Sequence, residues 1–193
     1  SLADQVFKSG MHLFKKCPFP SSITPHATYS VSRTLYSKIA KFNKGVPLTI
    51  HNQESKYENN LFSKGTGKLY DFISTFGKID KTGKTALVST LLNLPKEAPL
   101  ILVHNTYTDN EDVKWASENQ YNIYYCTCPK ANLYIEGRLP DYSIFNIDRL
   151  CVGTDSLASN NNLSILEELQ VIKENTNFDI NTLLKTVSYT HLT

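Results

Sequence analysis

The sequence predicts an α/β protein built on a parallel sheet, and three observations carry that expectation. Short runs rich in apolar and β-branched residues recur and end abruptly in a polar residue: SSITPHATYS, VPLTIHNQE, APLILVHNT, YNIYYCTCPKAN and RLCVGTDS. They are apolar throughout rather than alternating, as in parallel strands covered on both faces. Stretches with helical spacing or helix-start signals separate them, and strands alternating with helices define the class. The polar markers His26, His51, His104, Cys128 and Asp155 lie 25, 53, 24 and 27 positions apart. A closed barrel of eight units spends roughly 30 residues per unit over about 250 residues. Five units therefore fit either a small open sheet or the later part of such a barrel.

Near the start, MHLFKK is an amphipathic stretch that places His12 at the surface or at a boundary. The first apolar run leads into Val31 to Phe42, which has helical spacing. The wide interval between His51 and His104 requires an extended loop, assigned to KYENNLFSKGTGK, before a helix over Lys68 to Phe76. Asp109-Asn-Glu-Asp, ahead of Val113 and Ala116, supplies a cap and an acidic first turn for a helix over Asp109 to Asn119. Asn162 is the expected cap of the last helix, Leu163 to Lys173, in which Ile165, Leu166, Leu169 and Ile172 form one apolar stripe. No repeat, low-complexity block or linker divides the chain.

Composition narrows the function classes. With 193 residues, 20 Lys+Arg against 18 Asp+Glu and a formal charge of +2, the chain has no electrostatic footprint for nucleic acid or an anionic membrane. Its longest apolar run, Ala98 to Val103 interrupted by Pro99, is far short of the roughly 18 residues of a spanning helix. SLADQVFKSG has neither the basic start nor the apolar centre of a signal peptide, and without an initiating Met the chain is expected to begin in mid-protein. Of the four cysteines, Cys17, Cys126, Cys128 and Cys151, the Cys126-Thr-Cys128 pair has one intervening residue, not the two of redox or zinc-ribbon pairs. The cysteines read as small buried hydrophobes of a cytoplasmic protein.

Ligands of parallel α/β folds meet the carboxyl ends of the strands. Those ends carry Pro25-His26, His51 with Glu54, His104 with Asn105, Pro129 with Asn132, and Thr154-Asp155-Ser156. Neutral imidazoles with a carboxylate are the ligand set of a catalytic zinc or similar ion. Glu54, three residues past His51, could carry protons beside a metal without binding it, Asp155 could bind and accept a proton, and His104 could polarise the group under attack. Two decoys are set aside. GKIDKTGKT has five residues between Gly77 and Gly83, where a phosphate-binding loop allows four, and no apolar run precedes it. Asn162-Leu-Ser164 is a glycosylation sequon without meaning in a cytoplasmic protein.

TPHATYSVS, IHNQES, LVHNTYTD, CPKANLYI and above all GTDSLASNNNLSILEEL resemble the amidohydrolase superfamily, in the branch of cytosine, guanine, S-adenosylhomocysteine and aminofutalosine deaminases and of chlorohydrolases. The resemblance runs from about Ser22 to Lys173. It implies a metal-dependent (β/α)8 barrel hydrolysing C–N or C–Cl bonds of aromatic or heterocyclic substrates through a metal-activated hydroxide. By resemblance, His51 matches the metal ligand after the fifth strand and Glu54 the proton-shuttling glutamate of HxxE. His104 matches the histidine after the sixth strand, which contacts the reacting group or the attacking water. Asp155 matches the aspartate after the eighth, metal ligand and general base. His26 matches a histidine facing the substrate, and Asn132 part of the pocket wall.

The chain departs from the family pattern in having no HxH motif, which supplies two further ligands after the first strand. Its expected content is thus the five C-terminal βα units of a TIM barrel, about strands 4 to 8, incomplete at both ends, over residues 1–187. The closing TVSYTHLT carries no core pattern and reads as translated adapter sequence, so Ser188 to Thr193, His191 included, are set aside. The resemblance implies an aminohydrolase of a purine-like or nucleoside-derived amine, with a divalent metal, zinc or in its place iron. The partner is a small-molecule substrate, not nucleic acid or membrane, and a homodimer of the full-length protein is compatible. This piece by itself is expected to bind metal weakly and be inactive. The alternatives are a chlorohydrolase of the same superfamily and a non-catalytic α/β binding domain, with a nucleotide-binding loop protein a distant third.

Overall fold

In the computed structural model, which describes residues 1–77 and 79–191 apart from the side chains of 188–191, four parallel strands form one sheet in the order β1-β2-β3-β4. They are β1 (Leu48–Asn52), β2 (Leu100–His104), β3 (Ile123–Thr127) and β4 (Leu150–Val152). The register sets Ile50 beside Leu102, Leu102 beside Tyr125 and Cys126 beside Cys151. The first three strands alternate buried residues with half-buried or, at Thr49, exposed ones, so one face is packed more tightly than the other.

The first of the five predicted units runs beside β1 without becoming a strand. A single bridge joins Ala27 to His51, and the His51 N–H donates to the His26 carbonyl at 2.9 Å. Upstream, Thr24 Oγ1 stands in for a main-chain partner, accepting from the Thr49 N–H at 2.8 Å and donating to the Thr49 carbonyl. Pro25, which has no N–H, cannot add a ladder bond there.

Nine helices surround the sheet among the described residues: α1 (Leu2–Lys16), α2 (Arg33–Phe42), α3 (Lys56–Ser63), α4 (Lys68–Ser74), α5 (Ala86–Leu91), α6 (Asn110–Glu118), α7 (Pro129–Glu136), α8 (Ile165–Asn175) and α9 (Ile180–His191). The caps explain most boundaries. Ser32 starts α2, Thr85 starts α5 and Asp109 starts α6, each accepting a first-turn N–H, while Pro129 opens α7 and left-handed Gly137 closes it.

Three local expectations are corrected. The segment assigned to an extended loop contains α3, started by a capping box in which the Ser55 hydroxyl accepts from the Tyr57 N–H and Glu58 reaches back to the Ser55 N–H. The cap of α8 is Ser164, not Asn162, whose side chain instead accepts from the Ser164 N–H at 3.0 Å. Leu166, 70% exposed, lies outside the stripe that buries Leu169 and Ile172. At the other end, α9 carries Leu183 and Thr186 into the interior and its backbone continues to His191. The set-aside residues 192 and 193, and the side chains of 188–191, lie outside the described residues, as does Lys78 of the GKIDKTGKT decoy.

One core fills the space between sheet and helices: Ile50, Leu100, Leu102, Tyr125 and Val152 meet Leu87, Leu91, Leu169, Ile172 and Leu183. Cys128 and Cys151 are buried, Cys126 is half-buried, and Cys17 is exposed just past α1, contrary to its reading as a core residue; all four are free thiols. At Gly153 a Cβ would stand 3.3 Å from the sulfurs of both Cys126 and Cys128, a tight approach that glycine avoids where the exit of β4 passes over these thiols.

Glu168 on α8 fixes the loops above β3 and β4. Fully buried, it accepts from the Lys130 N–H at 2.9 Å and from Asn160 Nδ2 at 2.6 Å, and Asn160 also holds the Thr154 carbonyl. Burial raises its carboxyl above the ordinary value. The folded chain keeps this proton where the unfolded chain has lost it, so the contribution is full below the ordinary carboxylate pKa and is lost as pH rises through the raised one. Glu168→Ala is expected to cost about 2–4 kcal/mol, because two half-buried donors lose their acceptor. Urea unfolding measures this, and a loss under about 0.5 kcal/mol, the surface-substitution range, would discard this role.

Candidate metal centre

The carboxyl ends of β1, β2 and β4 bring together the residues singled out from sequence. One potential ligand atom from each of His51, His104 and Asp155 lies within 4.8 Å of the others. The His51 and His104 rings stack at 5.3 Å between centroids, and His26 lies 4.7 Å from His51 on the other side. Glu54 Oε1 is 3.5 Å from His104 Nε2.

Strand alternation alone would not bring His51 and His104 together. Register places His104 opposite Asn52, one residue out of phase with His51. Its backbone is left-handed, at φ 75°, which turns the ring toward His51. Asn105 at 55°, Gln53 at 47° and Asp155 at 56° are also left-handed. Non-glycine residues adopt this conformation at a cost of about 1–3 kcal/mol each and do so chiefly at functional sites.

The surrounding contacts over-determine that strain. Asn105 Nδ2 donates to the Leu102 carbonyl at 2.7 Å, and its N–H donates to the Asn52 carbonyl at 3.0 Å. Buried Gln53 donates to Asp112 at 2.7 Å and to Asn59 at 3.0 Å, and accepts from Thr108. Ser159 donates to Asp155 Oδ2. Sequence reasoning did not select Gln53, Glu58 or Ser159, and named Asn105 only beside His104 at the end of its strand. Of these only Glu58 had a local signal, the Ser-x-x-Glu pattern at Ser55.

Hydrogen bonds fix the histidine tautomers. The His26 carbonyl can only accept, so His51 Nδ1, 2.8 Å away, carries the hydrogen and Nε2 keeps its lone pair. Asn132 Nδ2 donates to the His104 carbonyl at 3.3 Å, which turns its Oδ1 toward His104 Nδ1 at 2.9 Å. That nitrogen is therefore the donor, and His104 Nε2 faces Glu54 with a free lone pair. Asn132 is almost fully buried and spends its amide on His104. His26, which is exposed, contacts Ser30 Oγ through Nδ1 at 3.2 Å. Burial first, and then the neighbouring His51, lower the His26 pKa. Two imidazole nitrogens with free lone pairs and a carboxylate suit a divalent ion that accepts nitrogen and oxygen ligands. No described helix is long and apolar enough to cross a membrane.

Comparison with known proteins identifies the family and the fold. A 5-methylthioadenosine/S-adenosylhomocysteine deaminase of Caldicellulosiruptor saccharolyticus is 32% identical over 154 residues, which is 76% of this chain and 31% of that protein. An aminodeoxyfutalosine deaminase of Nitratiruptor is 26% identical over 154 residues, 79% of this chain and 37% of its own. The crystal structure of Helicobacter pylori aminofutalosine deaminase superposes with a TM-score of 0.77 at 23% identity, covering 95% of this chain and 48% of that one. An adenosine deaminase from Xanthomonas campestris with bound zinc gives 0.70 at 20% identity, over 96% and 44%. The chain thus spans half or less of the length of these proteins, and its parallel sheet with flanking helices is part of their TIM barrel. The family profile matches residues 7–190, and the chain belongs to the amidohydrolase family.

Proposed function

We propose that the chain carries much of the catalytic rim of a metal-dependent deaminase that hydrolyses a C–N bond of a purine-like or nucleoside-derived amine. The observation that carries this reading is the convergence of His51, His104 and Asp155 ligand atoms within 4.8 Å. Relatives named as deaminases of 5-methylthioadenosine, S-adenosylhomocysteine and 5′-deoxyadenosine support the substrate class. His51 Nε2 and the Asp155 carboxylate would hold the metal, zinc or iron, which when bound supplies an activated water at neutral pH.

The chain's own residues would do the rest. Glu54 carries a proton to the ring nitrogen and to the departing ammonia. Asp155 accepts a proton, with Ser159 holding one of its oxygens in place. His104, fixed by Asn132, presents Nε2 to the reacting centre, and His26 faces the substrate. Asn132 lines the pocket wall from behind His104 and reaches the substrate through that ring. In this reading residues 1–187 form about strands 4 to 8 of the barrel, and residues 188–193 take no part. The free cysteines and the balanced charge favour a cytoplasmic protein acting on small molecules, and a homodimer of the full-length protein is compatible with this reading.

The test is ammonia release by the whole, metal-loaded protein from adenosine, 5′-methylthioadenosine and S-adenosylhomocysteine, followed beside the loss of adenine absorbance. Turnover of at least one supports the reading. Chloride release from a chlorinated heterocycle with none from the amines would move it to the chlorohydrolases, and no hydrolysis of either class would overturn it.

A further inference from the structure

Glu58 makes one contact more than a helix cap requires. Through Oε1 it accepts from the Ser55 N–H at 3.0 Å, the ordinary return bond of the capping box that starts α3. Its other oxygen, Oε2, accepts from the N–H of Gln53 at 3.0 Å, two residues before the cap. The Glu54 N–H between them also points to this carboxyl. One almost fully buried side chain thus grips the main chain on both sides of Glu54.

Gln53 is held through its side chain as well, by bonds to Asp112 on α6 and Asn59 on α3, while its backbone is left-handed. Glu54 is left with little freedom except in its own side chain, which ends 3.5 Å from His104 Nε2. A carboxylate can take N–H groups on both oxygens, whereas a carboxamide has one acceptor and would turn its NH2 toward the other donor. The site therefore calls specifically for Glu, not for a neutral isostere.

We propose that Glu58 is a positioning residue for the deaminase reaction, clamping the Gln53–Ser55 main chain so that the Glu54 carboxylate stays against His104. This rests on the reading of Glu54 as the proton carrier. Ser55→Ala provides the control, since it removes the hydroxyl half of the same cap and leaves both Glu58 bonds to the main chain. The two variants are compared at pH 8 by amide hydrogen exchange and by steady-state kinetics, both in the whole protein.

Glu58→Gln is expected to speed exchange of the Gln53 amide about tenfold or more, as loss of a charge-assisted bond implies. It should lower kcat about 10- to 100-fold with KM unchanged within about twofold, since a misplaced proton carrier costs rate rather than ground-state binding. Ser55→Ala should lower the melting temperature while leaving Gln53 exchange and kcat near wild type. If Glu58→Gln does not fold, Glu58→Asp, which keeps two oxygens but withdraws them by one methylene, takes its place. Unchanged Gln53 exchange in the Glu58 variant, or the same kcat loss in both variants, would overturn the proposal. A wild-type protein inactive on every amine would sink the functional reading instead, and the exchange comparison would still decide whether the clamp exists.

Discussion

His51→Ala is expected to empty the metal centre and abolish hydrolysis. The ring has one job that no neighbour can take over. Its Nδ1 is committed to the His26 carbonyl, so Nε2 has a free lone pair facing the space shared with His104 and Asp155. Removing even an outer hydrogen-bonding partner of a metal ligand costs about 10–100-fold in affinity or activity, and removing the ligand itself costs more. The effect on folding is small by comparison, because the main-chain bond from the His51 N–H to His26 survives the substitution. Metal content by mass spectrometry should fall well below one ion per protein while the melting temperature of the metal-free form stays close to wild type. His26→Ala is the contrast: the carbonyl that orients His51 is main chain and remains, so metal content should hold while KM rises. Full activity and full metal content in His51→Ala would remove His51 from the centre.

The difference between those two histidines shows which part of the site the sequence carries. His26, His51, His104 and Asp155 were visible because each ends an apolar run, and in parallel α/β proteins that position is the ligand-binding rim. Glu54 was visible through its spacing from His51. Their mutual orientation was not visible. Alternation puts His104 out of phase with His51, and the left-handed backbone that corrects this is held by Asn105, whose partners come from Leu102 and Asn52. The Asn132 bond to His104 spans 28 residues and exists only once β2 and α7 are assembled. The fold shows the same division. The helix after Ser32 was legible from its spacing and that after Asp109 from its cap, whereas the first predicted strand failed because Thr24 replaced its main-chain partner with a side chain. Helix α3 was missed for a different reason: its Ser55 and Glu58 box was in plain view, and the length of the interval outweighed it.

Glu54→Gln should separate proton transfer from metal binding. Glu54 lies outside the triad of close ligand atoms, and its carboxylate stands 3.5 Å from His104 Nε2. With Nδ1 of His104 donating to Asn132, Nε2 has no hydrogen when the ring is neutral, and an ionised Glu54 has none either. Two lone-pair faces this close are complementary only when a proton, a water or a substrate N–H stands between them. That is the arrangement required of a group that takes a proton from the attacking side and delivers it to a leaving amine. A carboxamide preserves the volume and can offer a hydrogen, yet it cannot accept one and pass it on. Activity in the whole protein should therefore drop about 10²–10⁴-fold, the usual contribution of general acid–base catalysis, with metal content unchanged. Loss of metal together with activity would instead make Glu54 a ligand, and retained activity would remove it from the reaction. The Glu58 clamp predicts a milder defect of the same kind, since a displaced carboxylate still exchanges protons. The order of kcat should therefore be wild type, then Glu58→Gln, then Glu54→Gln, at one metal content throughout.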